Sequence, residues 1–233
     1  MTTLTFIPGT MCDQRVFEPL WRELGSGFAT TYVPIETQLT RNGIRGLIEE
    51  AGERAPMHLV GYSMGGYLAL EYALGHPDRV LSLSTICTSA AGLSEAEAAQ
   101  RRRTIDYLET HEYRGVPQST LDRFIHPSRA HDPAVAGAVR AMDADLGKAV
   151  LIAQMRETSE RASLTDRLGG LNCPLLLIGA DSDPYLSPAQ LDEMASYATR
   201  AHTALAKDAG HMLPLEQPQW LAARITEFQE SFA

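Results

Sequence analysis

Apolar residues in this chain concentrate in short runs, separated by stretches in which they recur at three- and four-residue intervals. The runs are Leu4–Ile7, Ala29–Val33, Met57–Val60, Val80–Ile86, Leu175–Ile178 and His202–Ala206, and several end at Pro or Gly. Runs of this length, rich in β-branched and aliphatic residues, predict strands. The periodic stretches Val16–Leu24, Ile44–Arg54, Met64–Leu74 and Pro218–Phe232 predict helices, the last with Pro at its first turn. Strands apolar on both sides, alternating with helices, predict a parallel sheet covered on both faces.

The alternation stops once. Between Leu93 and Thr165 no strand pattern occurs. Ser94-Glu95-Ala96-Glu97 is a capping-box start, predicting a helix to about His111. Pro133–Arg161 is helical again, with a break expected near Gly147. The expected organisation is an α/β core built from residues 1–92 and 166–233, with residues 93–165 inserted as a helical cap or lid. A chain of 233 residues accommodates this as one core.

Charge narrows the function. Twenty Lys and Arg against 29 Asp and Glu give a net charge of −9, which disfavours nucleic acid as a partner. No apolar stretch approaches the ~20 residues of a membrane span, and the first residues lack the basic start and apolar core of a secretory leader. Cys12, Cys87 and Cys173 are far apart and odd in number, so neither a disulfide framework nor a zinc knuckle is expected. A reducing, cytoplasmic setting follows as the default; oligomeric state stays open. Arg101-Arg102-Arg103 reads as solvated helix surface, since at most one or two of three consecutive helical residues face a cleft.

The strand Met57–Val60 runs directly into Gly61-Tyr62-Ser63-Met64-Gly65-Gly66, and a helix follows. A serine on a tight strand-to-helix turn has little room for its neighbours. Glycines two before and two after relieve that crowding and leave Oγ clear of the sheet. The spacing matches neither phosphate-binding glycine loop, so Ser63 is the candidate nucleophile.

Four segments in order now carry a resemblance. Ile7-Pro8-Gly9-Thr10-Met11 resembles the His-Gly-x loop of the α/β-hydrolase fold, with Pro8 where His is commoner. The segment around Ser63 resembles that family's nucleophile elbow, and His76-Pro77-Asp78-Arg79-Val80 its approach to the next strand. Gly210-His211-Met212-Leu213-Pro214-Leu215-Glu216-Gln217-Pro218 is similar to its histidine loop. The resemblance spans nearly the whole chain. It implies a three-layer fold, here expected with about six parallel strands, because a sequence beginning at Thr2 leaves no room for the usual first two. It requires no cofactor and no metal.

A serine hydroxyl needs a base, and the base needs an orienting carboxylate. Of seven histidines, His211 alone lies in a glycine-flanked loop after the last strand; His58, His76, His111, His126, His131 and His202 read as structural or solvated. The acid is either Asp183 or Asp181, in the loop after Leu175–Ile178; Pro188 favours Asp183. Asp181 then caps the loop. The backbone N–H groups of Thr10 and Met64 are the expected oxyanion donors. Glu216 reads as an acceptor at a helix start. Met11, Cys12, Tyr62 and Thr88, with cap side chains, are expected to line the substrate pocket. The relatives with Asp at the elbow, haloalkane dehalogenases and epoxide hydrolases, are disfavoured by Ser63.

The function implied is a serine hydrolase, carboxylesterase-like, acting on a small or medium carboxylic ester, lactone or thioester through an acyl-enzyme. Two alternatives stay open. One is a lyase or C–C bond hydrolase using the same triad, resembling menaquinone-pathway lyases or enol-lactonases. The other is a small-molecule receptor that retains the triad.

Overall fold

All six apolar runs are strands: β1 (Thr3–Ile7), β2 (Ala29–Tyr32), β3 (Met57–Tyr62), β4 (Val80–Ile86), β5 (Leu175–Ala180) and β6 (Ala201–Ala206). They form one parallel sheet in the order β2-β1-β3-β4-β5-β6. The structure is a computed structural model and describes residues 1–232; Ala233, where the expected second core segment ends, lies outside it.

Successive strand residues point to opposite faces, and both faces are covered. On one side Leu4, Phe6, Val60, Tyr62, Leu176 and Ile178 pack against α1 (Glu18–Leu24) and α9 (Pro218–Glu230). On the other side Ile7, Leu59, Leu83, Leu175 and Leu177 meet α2 (Arg41–Arg54), α3 (Met64–Gly75) and α7 (Pro188–Tyr197). Burial on both sides explains why these strands read as continuous apolar runs.

Between β4 and β5 the regular elements among the described residues are all helical, the longest being α4 (Glu95–Thr110), α5 (Gln118–Phe124) and α6 (Ala138–Ser159). The capping box at Ser94 forms as expected, with Ser94 and Glu97 bonded reciprocally. Gly147 breaks α6 with φ 71° and ψ −177°, values outside any helix. Ile105 and Leu108 of α4 pack on Ile152 of α6, while Leu121, Ile125, Val135 and Met142 join the core beneath α1 and α9. The inserted helices are therefore partly self-packed and partly fused to the sheet layer. No helix among the described residues is long and apolar enough to cross a membrane.

Details differ from the sequence reading, among them α5, which no pattern announced. The first helix begins at Glu18, after a 3-10 turn at Gln14–Val16 capped by Asp13. Pro188–Tyr197 is a helix with its own capping box, Ser187 to Gln190. A four-residue helix, α8 (Leu213–Glu216), precedes α9.

Strand order places the site. The chain leaves β1 toward β2 on one side and returns to β3 on the other, so the loops after β1 and β3 diverge at their carboxyl ends. Parallel sheets bind ligands at such a point. The two loops touch: a Cβ on Gly65 would lie 2.3 Å from the Ile7 carbonyl oxygen and 2.4 Å from that of Pro8. Gly65→Ala is therefore expected to cost several kcal/mol or prevent folding, above the ~1–3 kcal/mol of ordinary overpacking. Gly46→Ala, in open space within α2, is expected to stabilise by up to ~1 kcal/mol. Chemical denaturation of both variants checks the contrast.

Candidate active site

Ser63 sits between β3 and α3 with φ 51° and ψ −114°, a left-handed conformation rare for a residue with a Cβ. Its N–H donates to the Ile86 carbonyl at 2.9 Å, and its own carbonyl accepts from Tyr67 N–H at 3.1 Å. Gly61 and Gly66 make the turn this tight, since a Cβ on Gly61 would meet Gly66 Cα at 2.5 Å. The hydroxyl is left half-buried at the carboxyl end of the sheet.

His211 and Asp183 converge on it. Ser63 Oγ lies 3.0 Å from His211 Nε2, and His211 Nδ1 lies 2.9 and 3.0 Å from the two Asp183 oxygens. A carboxylate only accepts, so Nδ1 carries the proton and Nε2 is free to accept from the serine hydroxyl. Asp183 is further fixed by Tyr185 N–H, which donates to its Oδ1 at 2.8 Å. Its side chain is closed to solvent, and His211 is 6% exposed. Asp181 turns away, its carboxylate accepting from Asp208 N–H at 3.2 Å and Ala209 N–H at 3.4 Å. Burial opposes ionisation of Asp181, but these backbone donors outweigh it and hold the carboxyl below its ordinary range.

Thr10 and Met64 also meet, the Thr10 hydroxyl lying 3.6 Å from Met64 Sδ. Gly9 makes the approach possible, since a Cβ there would press on the Tyr62 ring at 2.9 Å and Ser63 Cβ at 3.2 Å. Met64 opens α3, where a backbone N–H has no helical acceptor. Neither it nor the Thr10 N–H donates to any described residue.

Of the residues expected to line a pocket, three are buried. Tyr62 is 1% exposed and its hydroxyl donates to the His211 carbonyl at 2.9 Å. Thr88, 2% exposed, donates to the Ile86 and Ser63 carbonyls at 3.0 and 3.2 Å. Cys12 is buried, its thiol toward the Thr10 carbonyl, and burial raises its pKa. These three brace the site from below. Met11 is half-buried, with φ 54° and its N–H donating to Gln154 Oε1 at 2.8 Å.

Several supports were invisible to the sequence reading. The His211 N–H donates to the Phe124 carbonyl of α5 at 2.7 Å. Tyr185 meets the His211 ring edge-on at 5.1 Å, and Phe124 lies 5.8 Å from it. Glu216 is no helix-start acceptor: its Oε2 receives Gly210 N–H at 3.0 Å and His126 N–H at 2.9 Å, tying the histidine loop to the inserted helices. Burial pushes its carboxyl above the ordinary range, against the pull of those donors.

Cys87, Asp183 and His211 are the one trio among the described residues with metal-ligand atoms within 4.8 Å of one another. The set suits a metal poorly. His211 Nδ1 is already committed to Asp183, and burial keeps the Cys87 thiol protonated.

The chain belongs to the alpha/beta hydrolase family, whose model matches residues 8–224. It is similar to the mouse (Mus musculus) monoacylglycerol lipase ABHD6, 25% identical over 191 residues, 76% of this chain; it spans about half, 56%, of that relative's length. It is similar to a pimeloyl-(acyl-carrier protein) methyl ester esterase of Neisseria meningitidis, 23% identical over 88% of this chain and 80% of that protein. Among solved structures, a thermophilic esterase from Thermogutta terrifontis superposes with a TM-score of 0.87 at 23% identity, over 99% of this chain and 90% of that one.

Two expected outcomes test the site. Asp183→Asn should lower turnover by roughly 10³–10⁴-fold by leaving the imidazole in the wrong tautomer, while Asp181→Asn should change it little; steady-state kinetics separates them. For Glu216 the folded chain holds a proton more tightly than the unfolded chain. Its contribution to stability therefore falls as pH rises from about 4.5 toward the folded value. Glu216→Gln should remove that part of the slope, read as melting temperature against pH for variant and wild type.

Proposed function

We propose that this chain is a serine hydrolase that cleaves small or medium carboxylic esters, lactones or thioesters through an acyl-enzyme on Ser63. The observation carrying this reading is the continuous hydrogen-bonded line from Ser63 Oγ through His211 to Asp183, at 3.0 and 2.9 Å. Ser63 Oγ attacks the acyl carbon as His211 Nε2 takes its proton, and buried Asp183 stabilises the imidazolium that forms. The unpaired N–H groups of Met64 and Thr10 receive the oxyanion. His211 then protonates the leaving alcohol or thiol, and the same base activates water to release the acid. Relatives named as a lipase and an esterase agree in reaction class with this reading.

Residues 93–165 act in this proposal as a lid that frames the substrate, with Met11 the one expected lining residue offering surface toward it. Three free, buried cysteines suit a reducing compartment such as the cytoplasm.

A panel of p-nitrophenyl esters of increasing acyl length, with a lactone and an acyl thioester alongside, tests the proposal. Wild-type protein should turn over at least one class. Ser63→Ala should lose about 10³-fold or more in kcat/KM, with a residue from the remaining site. No turnover of any ester, lactone or thioester would reject hydrolysis and leave the lyase or receptor reading.

A further inference from the structure

Half of the 18 arginines meet carboxylates, and most of the others are exposed. Arg41 and Arg45 close on the buried Glu157, and Arg45 also on Glu71. Arg101 of α4 and Arg161, just beyond α6, are different. Both are half-buried, and neither forms an ion pair among the described residues. Arg101 donates only to the Thr158 hydroxyl. Arg161 lies over the Tyr67 ring at 5.2 Å, and its Nε is buried with no acceptor. The one carboxylate whose charge reaches both is Glu97, which is beyond ion-pair distance and turned to Ser94 N and Oγ at 2.9 and 2.7 Å. Burial lowers the pKa of both guanidiniums, and the charge of Arg101 lowers that of Arg161 further. Two half-buried cations with no ion-pair partner among the described residues are an arrangement that an anion relieves.

Their position ties them to the reacting centre. Tyr67, under Arg161, is one turn of α3 from Ser63 and bonds to its carbonyl. Thr158, under Arg101, is one turn of α6 from Gln154, about 6 Å along the helix. Gln154 is 0% exposed; its Oε1 takes the Met11 N–H, and its Nε2 is buried with no acceptor. Two buried donors without acceptors, Gln154 Nε2 and Arg161 Nε, thus lie between the loop after β1 and the arginines.

We propose that Arg101 and Arg161 form a carboxylate subsite, so that the substrate is a short-chain ester whose acyl part ends in a second, free carboxylate. This rests on the serine-hydrolase reading and specifies its substrate class. In this arrangement the acyl carbon lies at Ser63 and the distal carboxylate at the two guanidiniums. Gln154 Nε2 serves the chain between them. Arg102 and Arg103 are exposed and take no part.

The test compares mono-p-nitrophenyl glutarate with p-nitrophenyl valerate, which has the same acyl length and no distal charge. In wild-type protein the glutarate ester should be preferred in kcat/KM. Arg161→Met and, separately, Arg101→Gln should each reduce that preference about 10- to 100-fold, mainly through KM. Arg161→Lys should recover part of it, and Arg103→Gln should leave the preference as it is. If both esters turn over and neither arginine variant moves their ratio, the subsite is refuted while the hydrolase reading stands. If neither ester turns over, calorimetric titration with glutarate decides: binding by wild-type protein that is lost in Arg161→Met and Arg101→Gln upholds the subsite. Absence of binding overturns it.

Discussion

One strained residue organises this molecule. Ser63 holds φ 51° and ψ −114°, a backbone state that costs on the order of 1–3 kcal/mol and persists only where the surroundings over-determine it. Here they do. Ile86 takes its N–H, Tyr67 and Thr88 donate to its carbonyl, and glycines allow β3, α3 and the loop after β1 to approach within contact. The neighbouring strands β1 and β4 supply two of these restraints. The parallel order β1-β3-β4 is thus a condition for the serine's orientation as well as a result of burying apolar strands.

The rest of the site is assembled from both parts of the chain. The core supplies Ser63, Asp183 and His211. The inserted helices supply the Phe124 carbonyl that holds the His211 backbone, the His126 N–H on Glu216, and Gln154, which fixes Met11. Three short polar links thus cross from helices that contribute none of these three residues. Their geometry makes the inserted helices part of the support for Ser63, His211 and Asp183. A buried carboxylate such as Glu216 is a demanding way to make such a link, since it is tolerated only while its two N–H donors stay in place.

Much of this was legible in the sequence because local signals and burial agreed. Six apolar runs became six strands, Ser94 and Glu97 capped α4, and Gly147 broke α6. The elbow was readable because its glycines are dictated by backbone contact. What the sequence did not disclose depended on distant contacts. Tyr62 and Thr88 flank Ser63 in sequence or in space, yet both face inward as braces, because the strand pleat turns Tyr62 into the α1–α9 layer. Gln154 and Glu216 gain their roles from partners 143 and 90 residues away. The Ser187–Gln190 capping box was present as a signal, but apolar periodicity alone does not find a ten-residue helix.

The central claim is that Ser63 is a nucleophile activated by His211. Its most direct test is covalent: treat the protein with a fluorophosphonate, then locate the adduct by peptide mass spectrometry in wild type and in His211→Ala. The account predicts a single adduct on the peptide carrying Ser63, formed far more slowly without the imidazole. An adduct on another residue, or equal labelling rates in the two proteins, would contradict it.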